Sequence, residues 1–232
     1  MARLCSDGLK KVTLELGGNC PFLVFDDADI NQALDGINLP PSSESPTTNI
    51  IIALMALKWR HAGQACITAN RVYVQSGIYD RFAELLKERT AKLVVGHGAD
   101  NDTTMGPVTT PRSLDKALSH VEDAKKYGGK VILGGGKVEG TTGYFFEPTI
   151  ILGGNKEMLI TEEETFAPVL ALYSFETEKE ATDAANNTSV CIDEHFLLEF
   201  KLILRYRWGW HRISLPKMLT GPGDFLRILR PV

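Results

Sequence analysis

The chain has 232 residues, 44% of them hydrophobic, so it can bury a sizeable core as one large domain or two small ones. Its net charge of -4 and pI near 5.8 provide no basic field, which argues against a nucleic-acid partner. The four cysteines form no C-x-x-C pair, so we expect neither a zinc site nor disulfides. No apolar run reaches membrane-spanning length and no signal peptide is evident, so we expect a cytoplasmic location without a membrane.

The first predicted strand is the apolar run at 21–25. The acidic residues at 26–29 then supply an N-cap for a helix starting near Ile30. These acids could also suggest a metal site, but we favour a solvated turn. Proline, serine and threonine at 37–52 oppose a helix, and helical spacing resumes when Asp35 is joined to Ala53 through one small residue. We therefore predict that 37–52 is an inserted, non-native segment.

The rest of the chain alternates between strand and helix patterns. We predict strands at 72–74, 130–133 and 169–173, and helices at 78–93, 114–127 and 178–186. This alternation predicts an α/β fold. The glycines at 134–136 invite comparison with a phosphate-binding loop, but they lack its full motif, and a hairpin turn is the interpretation we favour.

Two short segments carry residue types that suggest chemistry. Residues 59–71 read WRHAGQACITANR, which places Cys66 just after Gly63, a glycine that can end the preceding helix. The thiol and its own backbone N–H can then face one pocket, as covalent chemistry on a carbonyl requires, although a lone cysteine can also be an inert buried thiol. Glu15 lies between two leucines before a Gly-Gly turn, where a carboxylate has no obvious structural reason.

Together with a third segment, these motifs resemble the aldehyde dehydrogenase superfamily, and within it the succinate-semialdehyde dehydrogenase branch. The three segments are LELGG at 14–18, GQAC at 63–66 and EETFAP at 163–168, with Ala167 where the family usually has glycine. The resemblance covers residues 1–36 and 53–190. It implies the thiol-bearing catalytic domain of the aldehyde dehydrogenase fold, and a homo-oligomer in the full-length family.

The resemblance also implies a role for each candidate residue. Cys66 is the nucleophile towards an aldehyde, and Glu15 is the acid–base group, its pKa raised by apolar neighbours. Glu164 would hydrogen-bond the nicotinamide ribose of NAD or NADP, and Phe166 would pack near the ring. Arg60, six residues before the cysteine, would bind the carboxylate of a short oxo acid.

Other interpretations of these side chains stay open. Glu164 could be a surface acid in the acidic run at 162–164, and Arg60 could be an arginine on a helix surface. His61 could pair with Cys66 in a hydrolase, but no third member of such a triad is apparent.

The resemblance divides the chain into three parts. Residues 1–18 would be the end of the cofactor-binding domain with the strand that carries Glu15, residues 19–190 the catalytic domain, and residues 191–232 an aberrant tail. We expect most of the Rossmann-like cofactor domain to lie upstream, which leaves a mitochondrial location possible. When the codons of 208–232 are read in a shifted frame, they can encode the family's next stretch, so we infer that two introns were translated.

These expectations give two hypotheses for function. The first is an NAD(P)-dependent dehydrogenase that oxidises succinate semialdehyde or a similar aldehyde through a thioester on Cys66, with the 232 residues inactive by themselves. The second is a non-catalytic fragment that cannot bind cofactor and at most associates with full-length subunits through shared sheet edges.

Overall fold

The computed structural model describes residues 10–12, 17–26 and 50–188, together with the single positions 3, 5 and 8. The described part contains one five-stranded sheet, with strands β1 Pro21–Val24, β2 Arg71–Gln75, β3 Lys130–Leu133, β4 Thr149–Leu152 and β5 Val169–Phe175. Its α-helices are α1 Ile50–Trp59, α2 Tyr79–Thr90, α3 Pro111–Lys126, α4 Leu159–Glu162 and α5 Glu178–Asn186. The predicted α/β fold is confirmed.

The sheet has the order β1-β2-β5-β4-β3. Every neighbouring pair is parallel except β3 and β4, which are antiparallel. The central strand β5 and its neighbour β2 are almost wholly buried, as is typical of a parallel sheet that helices cover on both faces. Strand β5 is mostly apolar without alternation, whereas in β2 valines alternate with Arg71, Tyr73 and Gln75. Tyr73 lies opposite Tyr173 in the register.

Helices α2 and α3 each bury one apolar stripe against this sheet. Phe82 and Leu86 carry the stripe of α2, and Leu114, Ala117 and Val121 carry that of α3. The start of α3 is fixed by its N-cap, since the Thr110 hydroxyl accepts from the Ser113 N–H and proline occupies the first helical position.

Helix α1 differs from the sequence-based prediction, because it begins at Ile50, inside the segment 37–52 for which we expected no helix. The last proline of that segment is Pro46, so residues 50–52 contain no helix breaker and continue the apolar pattern that follows. The predicted helix near Ile30 and the predicted tail at 191–232 lie outside the described residues. The proposed domain boundaries stay predictions.

Candidate active site

The loop that carries Cys66 is a series of tight turns between α1 and β2. Backbone N–H groups of Ala62, Gln64 and Thr68 each donate to the carbonyl three residues earlier, at 3.0 Å. Ala62 and Gly63 both have positive φ, 50° and 72°, so the chain reverses sharply after the helix. The Cys66 thiol is free and partly exposed, which leaves it accessible for chemistry.

The side chain of Gln64 connects this loop to the loop before α3. Its amide nitrogen donates to the carbonyl oxygens of His61, at 3.1 Å, and Pro107, at 3.3 Å. Its amide oxygen accepts from the Thr109 N–H at 2.8 Å. Because both ends of the amide are used, Gln64 fixes the turn two residues before the thiol.

The Cys66 loop also packs directly on the segment 163–168. A Cβ at Gly63 would lie 2.1 Å from the backbone oxygen of Ala167, so only glycine allows this contact. Phe166, next to Ala167, has a positive φ of 51° and a ring that is 39% exposed. Non-glycine residues with such φ values are uncommon and cluster at functional sites. Two of the three motifs therefore meet, each with a strained residue beside the contact.

The remaining motif, LELGG at 14–18, contacts the same segment at Glu164. The Gly18 N–H donates to the Glu164 carboxylate, and a Cβ at Gly17 would lie 2.7 Å from its Oε2. Burial raises the pKa of Glu164, while the Gly18 N–H and the charges of Lys116 and Lys58 oppose that rise. Glu15, two residues before Gly17, lies outside the described residues.

Asn19 anchors the end of the same motif. Its amide nitrogen donates to the carbonyl oxygens of Ile160 and Thr161, at 3.1 and 3.0 Å. The backbone carbonyl of Asn19 accepts two hydrogen bonds, at 3.0 and 2.8 Å, from the fully buried guanidinium of Arg71. Residues 17–19 are thereby held next to the segment that contains Glu164.

Helix α3 also contacts the segment 163–168. The Lys116 ammonium donates to the backbone oxygen of Glu164 at 2.6 Å and lies 3.6 Å from the Glu163 carboxylate. The buried His120 ring shares a 3.2 Å hydrogen bond between Nδ1 and the Thr165 hydroxyl. Burial, followed by the charge of Lys116, lowers the pKa of His120 to about 4, so this imidazole is neutral at pH 7.

Within the described part of the chain, the Glu164 carboxylate has a free acceptor of the kind needed to bind the cofactor that the motif implies. Its Oε1 is buried and accepts no hydrogen bond among the described residues, although a carboxylate oxygen is a strong acceptor. A ribose hydroxyl is a donor that would satisfy it. The exposed ring of Phe166, two residues on, offers an apolar face beside it. The residues present fit a nicotinamide riboside moiety.

Arg60 follows α1 directly and is exposed, as is its neighbour His61. No hydrogen bond or ion pair to the Arg60 guanidinium is found within 50–188, so it is available to an anionic ligand. The structure does not join His61 to the thiol by any hydrogen bond within the same range, and its backbone oxygen accepts from Gln64 instead.

Two negative findings concern only the described part of the chain. It contains no cluster of three or more His, Cys, Asp or Glu side chains placed to hold a metal ion. None of its helices has the length and apolar character needed to cross a membrane.

Sequence reasoning missed several residues that organise this site: Lys58, Gln64, Lys116 and His120. Lys58 left a signal, because it is a single charge within the apolar run of α1. Gln64 lies within the GQAC motif, which marks its position but not its partners. Lys116 and His120 left no signal, since their partners lie 48 and 45 residues away along the chain.

The mostly parallel α/β sheet, with the thiol loop packed on a glutamate-bearing segment, matches the fold of aldehyde dehydrogenase crystal structures. The family model for the aldehyde dehydrogenase family matches residues 1–39 and 47–194. The chain belongs to the aldehyde dehydrogenase family. The match leaves out residues 40–46 and 195–232. Its internal gap is shorter than the insertion predicted at 37–52, and its end at 194 lies four residues past the predicted end at 190.

Curated relatives and solved structures support this assignment. Succinate-semialdehyde dehydrogenase (NADP(+)) 1 of Schizosaccharomyces pombe is 45% identical over 191 residues, 82% of this chain and 35% of the relative. Glutarate-semialdehyde dehydrogenase of Pseudomonas putida is 41% identical over 192 residues, 83% of this chain and 36% of the relative. The crystal structure of succinate-semialdehyde dehydrogenase from Burkholderia pseudomallei superposes with a TM-score of 0.71 at 33% identity, covering 88% of this chain and 40% of that one.

These figures also show how much of each relative the chain covers. The chain spans about a third of the length of the curated relatives it matches. Which domain of the family it represents stays a prediction.

Proposed function

We propose that this chain carries the thiol-bearing part of a dehydrogenase that oxidises a short aldehyde with a distal carboxylate, such as succinate semialdehyde. The observation that carries the proposal is the meeting of three motifs at one segment: Gly63 packs on Ala167, and Gly17 and Gly18 contact Glu164. The relatives named for succinate and glutarate semialdehydes support this substrate class.

In this proposal Cys66 supplies the nucleophile. Its sulfur bonds to the aldehyde carbon, and the thiol proton leaves to a base, because a thiol is mostly protonated at neutral pH. Glu15 is the proposed base. It takes that proton, or later the proton of the water that breaks the carbon–sulfur bond and releases the carboxylic acid.

The cofactor would be NAD or NADP, which when bound supplies the hydride acceptor for the oxidation. Glu164 would accept hydrogen bonds from the ribose hydroxyls through its Oε1, which has no partner among the described residues, while its other oxygen stays with the Gly17–Gly18 turn. Phe166 would flank the ring. The choice between NAD and NADP stays open.

Arg60 would fix the substrate's distal carboxylate. A guanidinium binds a carboxylate through two parallel hydrogen bonds, so it selects an oxo acid over an uncharged aldehyde of equal length. The exposed position of Arg60, six residues before the thiol, supports this role.

By themselves, the 232 residues are expected to bind aldehyde at Cys66 without completing turnover, because they span about a third of the relatives' length. The same coverage favours the alternative of a non-catalytic fragment that associates with full-length subunits. Cofactor reduction with succinate semialdehyde decides whether turnover occurs. Turnover that disappears in Cys66→Ala would refute the expected inactivity while supporting the family chemistry.

A protection experiment tests the proposed substrate site. The full chain is alkylated with iodoacetamide in the presence of succinate semialdehyde or butanal, and labelling of each cysteine is followed by peptide mass spectrometry. We expect succinate semialdehyde to protect Cys66 at about tenfold lower concentration than butanal, since only the oxo acid engages Arg60.

Two arginine variants complete that experiment. Arg60→Gln should equalise the two aldehydes, whereas Arg112→Gln, at an exposed arginine of α3, should keep the difference. Equal protection by both aldehydes in the unmodified chain would remove Arg60 from the site. Labelling of Cys66 that neither aldehyde slows would contradict the proposed nucleophile.

A further inference from the structure

Lys58 is a charged side chain in the last turn of α1 that is 0% exposed. Its Nζ donates to the Oδ1 of Asn70 at 2.7 Å, and Asn70 is itself 1% exposed. Burial lowers the pKa of Lys58 well below its usual range, opposed by the negative charge of Glu164. An ammonium and a neutral amine both donate, so this hydrogen bond does not depend on the charge.

The bond joins the two ends of the Cys66 loop. Lys58 lies just before residues 59–69 and Asn70 just after them, so one hydrogen bond closes the loop that has Cys66 within it. The backbone oxygen of Asn70 in turn accepts from the Ala171 N–H of β5, at 3.0 Å. The Lys58–Asn70 pair, which we call the clamp, therefore connects the end of α1 to the central strand β5.

The amine also lies at the contact between the two motif segments. A Cβ at Gly63 would be 3.1 Å from Lys58 Nζ and 2.1 Å from the backbone oxygen of Ala167. The Lys58 amine is thus within close reach of the Cys66 loop and of the segment that continues from Glu164.

We propose that Lys58 is a positioning residue that, through Asn70, closes the loop 59–69 and holds Cys66 against the Glu164–Ala167 segment. The catalytic role of Cys66 rests on the proposed function, but the hydrogen bond between Lys58 and Asn70 does not. Loss of either partner should loosen the two segments together and leave the rest of the sheet unchanged.

Hydrogen–deuterium exchange on the full chain tests this. Lys58→Met keeps the length but cannot donate, and Asn70→Leu keeps the shape but cannot accept. Each should speed exchange in the peptides covering 61–68 and 163–169 by about tenfold, while the peptide of α3 stays unchanged. The double variant should be no worse than either single one, because both remove the same bond.

Asn70→Asp is the rescue variant, since it retains the acceptor, and it should exchange within about twofold of the unmodified chain. Lys92→Met, at an exposed lysine after α2, is the matched control. If Asn70→Asp loosens the loop as much as Asn70→Leu, or if Lys58→Met leaves both peptides protected, the proposal is wrong. Should Lys58→Met fail to fold, the comparison of Asn70→Asp with Asn70→Leu still decides.

The same samples separate this proposal from the proposed function. Exchange does not depend on aldehyde chemistry, so Cys66→Ser should leave the protection of both peptides as it is. If the clamp variants speed exchange as expected but neither aldehyde protects Cys66, the proposed function is wrong and the clamp stands. If succinate semialdehyde protects Cys66 but the clamp variants leave exchange unchanged, only the clamp is wrong.

Discussion

The Cα of Gly63 lies against the backbone oxygen of Ala167, so close that a Cβ would come within 2.1 Å of that oxygen. Gly63 also has a φ of 72°, a backbone conformation that residues with a Cβ rarely adopt. Backbone at the contact cannot move aside as a flexible side chain could. This one contact brings the thiol loop to the glutamate segment.

Gly63→Ala should therefore destabilise the protein by about 3 kcal/mol, through steric overlap and backbone strain together. Urea unfolding followed by circular dichroism measures the loss. Gly106→Ala is the control, because a Cβ there meets nothing within 4 Å and should change stability by less than about 0.5 kcal/mol. Equal effects at the two glycines would mean that the contact with Ala167 does not constrain the loop.

Gln64→Leu should cost about 1–2 kcal/mol, because it removes the hydrogen bonds to His61, Pro107 and Thr109. These bonds are partly exposed, so water compensates for some of the loss. Gln64→Glu keeps the acceptor for the Thr109 N–H, but it places a carboxylate oxygen, which cannot donate, against the carbonyl oxygens of His61 and Pro107. It should therefore be no more stable than Gln64→Leu. The same urea experiment ranks the three proteins, and a glutamate variant as stable as the unmodified chain would contradict the assigned donors.

His120 predicts a loss of stability in mild acid. Its pKa is about 4 in the folded state and about 6.5 when unfolded, so the unfolded chain binds the proton more readily. The contribution of His120 to the free energy of unfolding is complete above about pH 6.5. As the pH falls towards 4, up to about 3 kcal/mol of it is lost. Urea unfolding from pH 7 to 4 measures it.

Two histidine variants isolate that effect. His120→Gln should flatten the decline between pH 6.5 and 4, whereas His97→Gln, at an exposed position, should leave it unchanged. If the decline persists in full in His120→Gln, other groups cause it and the buried neutral imidazole is not its source.

Glu164 predicts the opposite dependence on pH. Burial raises its pKa, so the folded state holds the proton more tightly and this carboxylate destabilises the fold as the pH rises through its folded pKa. Glu164→Gln, which can still accept from the Gly18 N–H, should raise the urea midpoint at pH 7. Glu162→Gln, at an exposed neighbouring acid, should not. A lower midpoint for Glu164→Gln would show that the charge stabilises the segment.

Much of the fold could be predicted because its signals are local. The strand at 130–133 and the helix at 178–186 have the predicted boundaries, since apolar runs and the Thr177 N-cap mark them. The four-residue α4 was not predicted, because one turn is too short to show a helical period. The start of α1 was placed too late, because the proline-rich composition before it was extended over residues without a breaker.

The candidate site could be predicted only in part. The motifs mark Cys66 and Glu164 as candidates from the chain itself, and the structure adds how their segments are held. The Lys58–Asn70 clamp, the Gln64 bridge and the Lys116 contact depend on pairs that only folding brings together. The boundaries of the domains stay predictions, as do the chemical roles of all five site residues: Cys66, Glu15, Glu164, Phe166 and Arg60.

The central claim is that the Glu15 carboxylate and the Cys66 thiol share one site. Glu15→Cys, in a chain whose Cys5, Cys20 and Cys191 are replaced by serine, allows a direct measurement: cross-linking to Cys66 by a short bis-methanethiosulfonate reagent, read by peptide mass spectrometry. The account predicts a 15–66 cross-link in high yield, and little cross-link when cysteine replaces the exposed Lys10 instead. No 15–66 cross-link, in a folded chain whose Cys66 is accessible to the reagent, would contradict it.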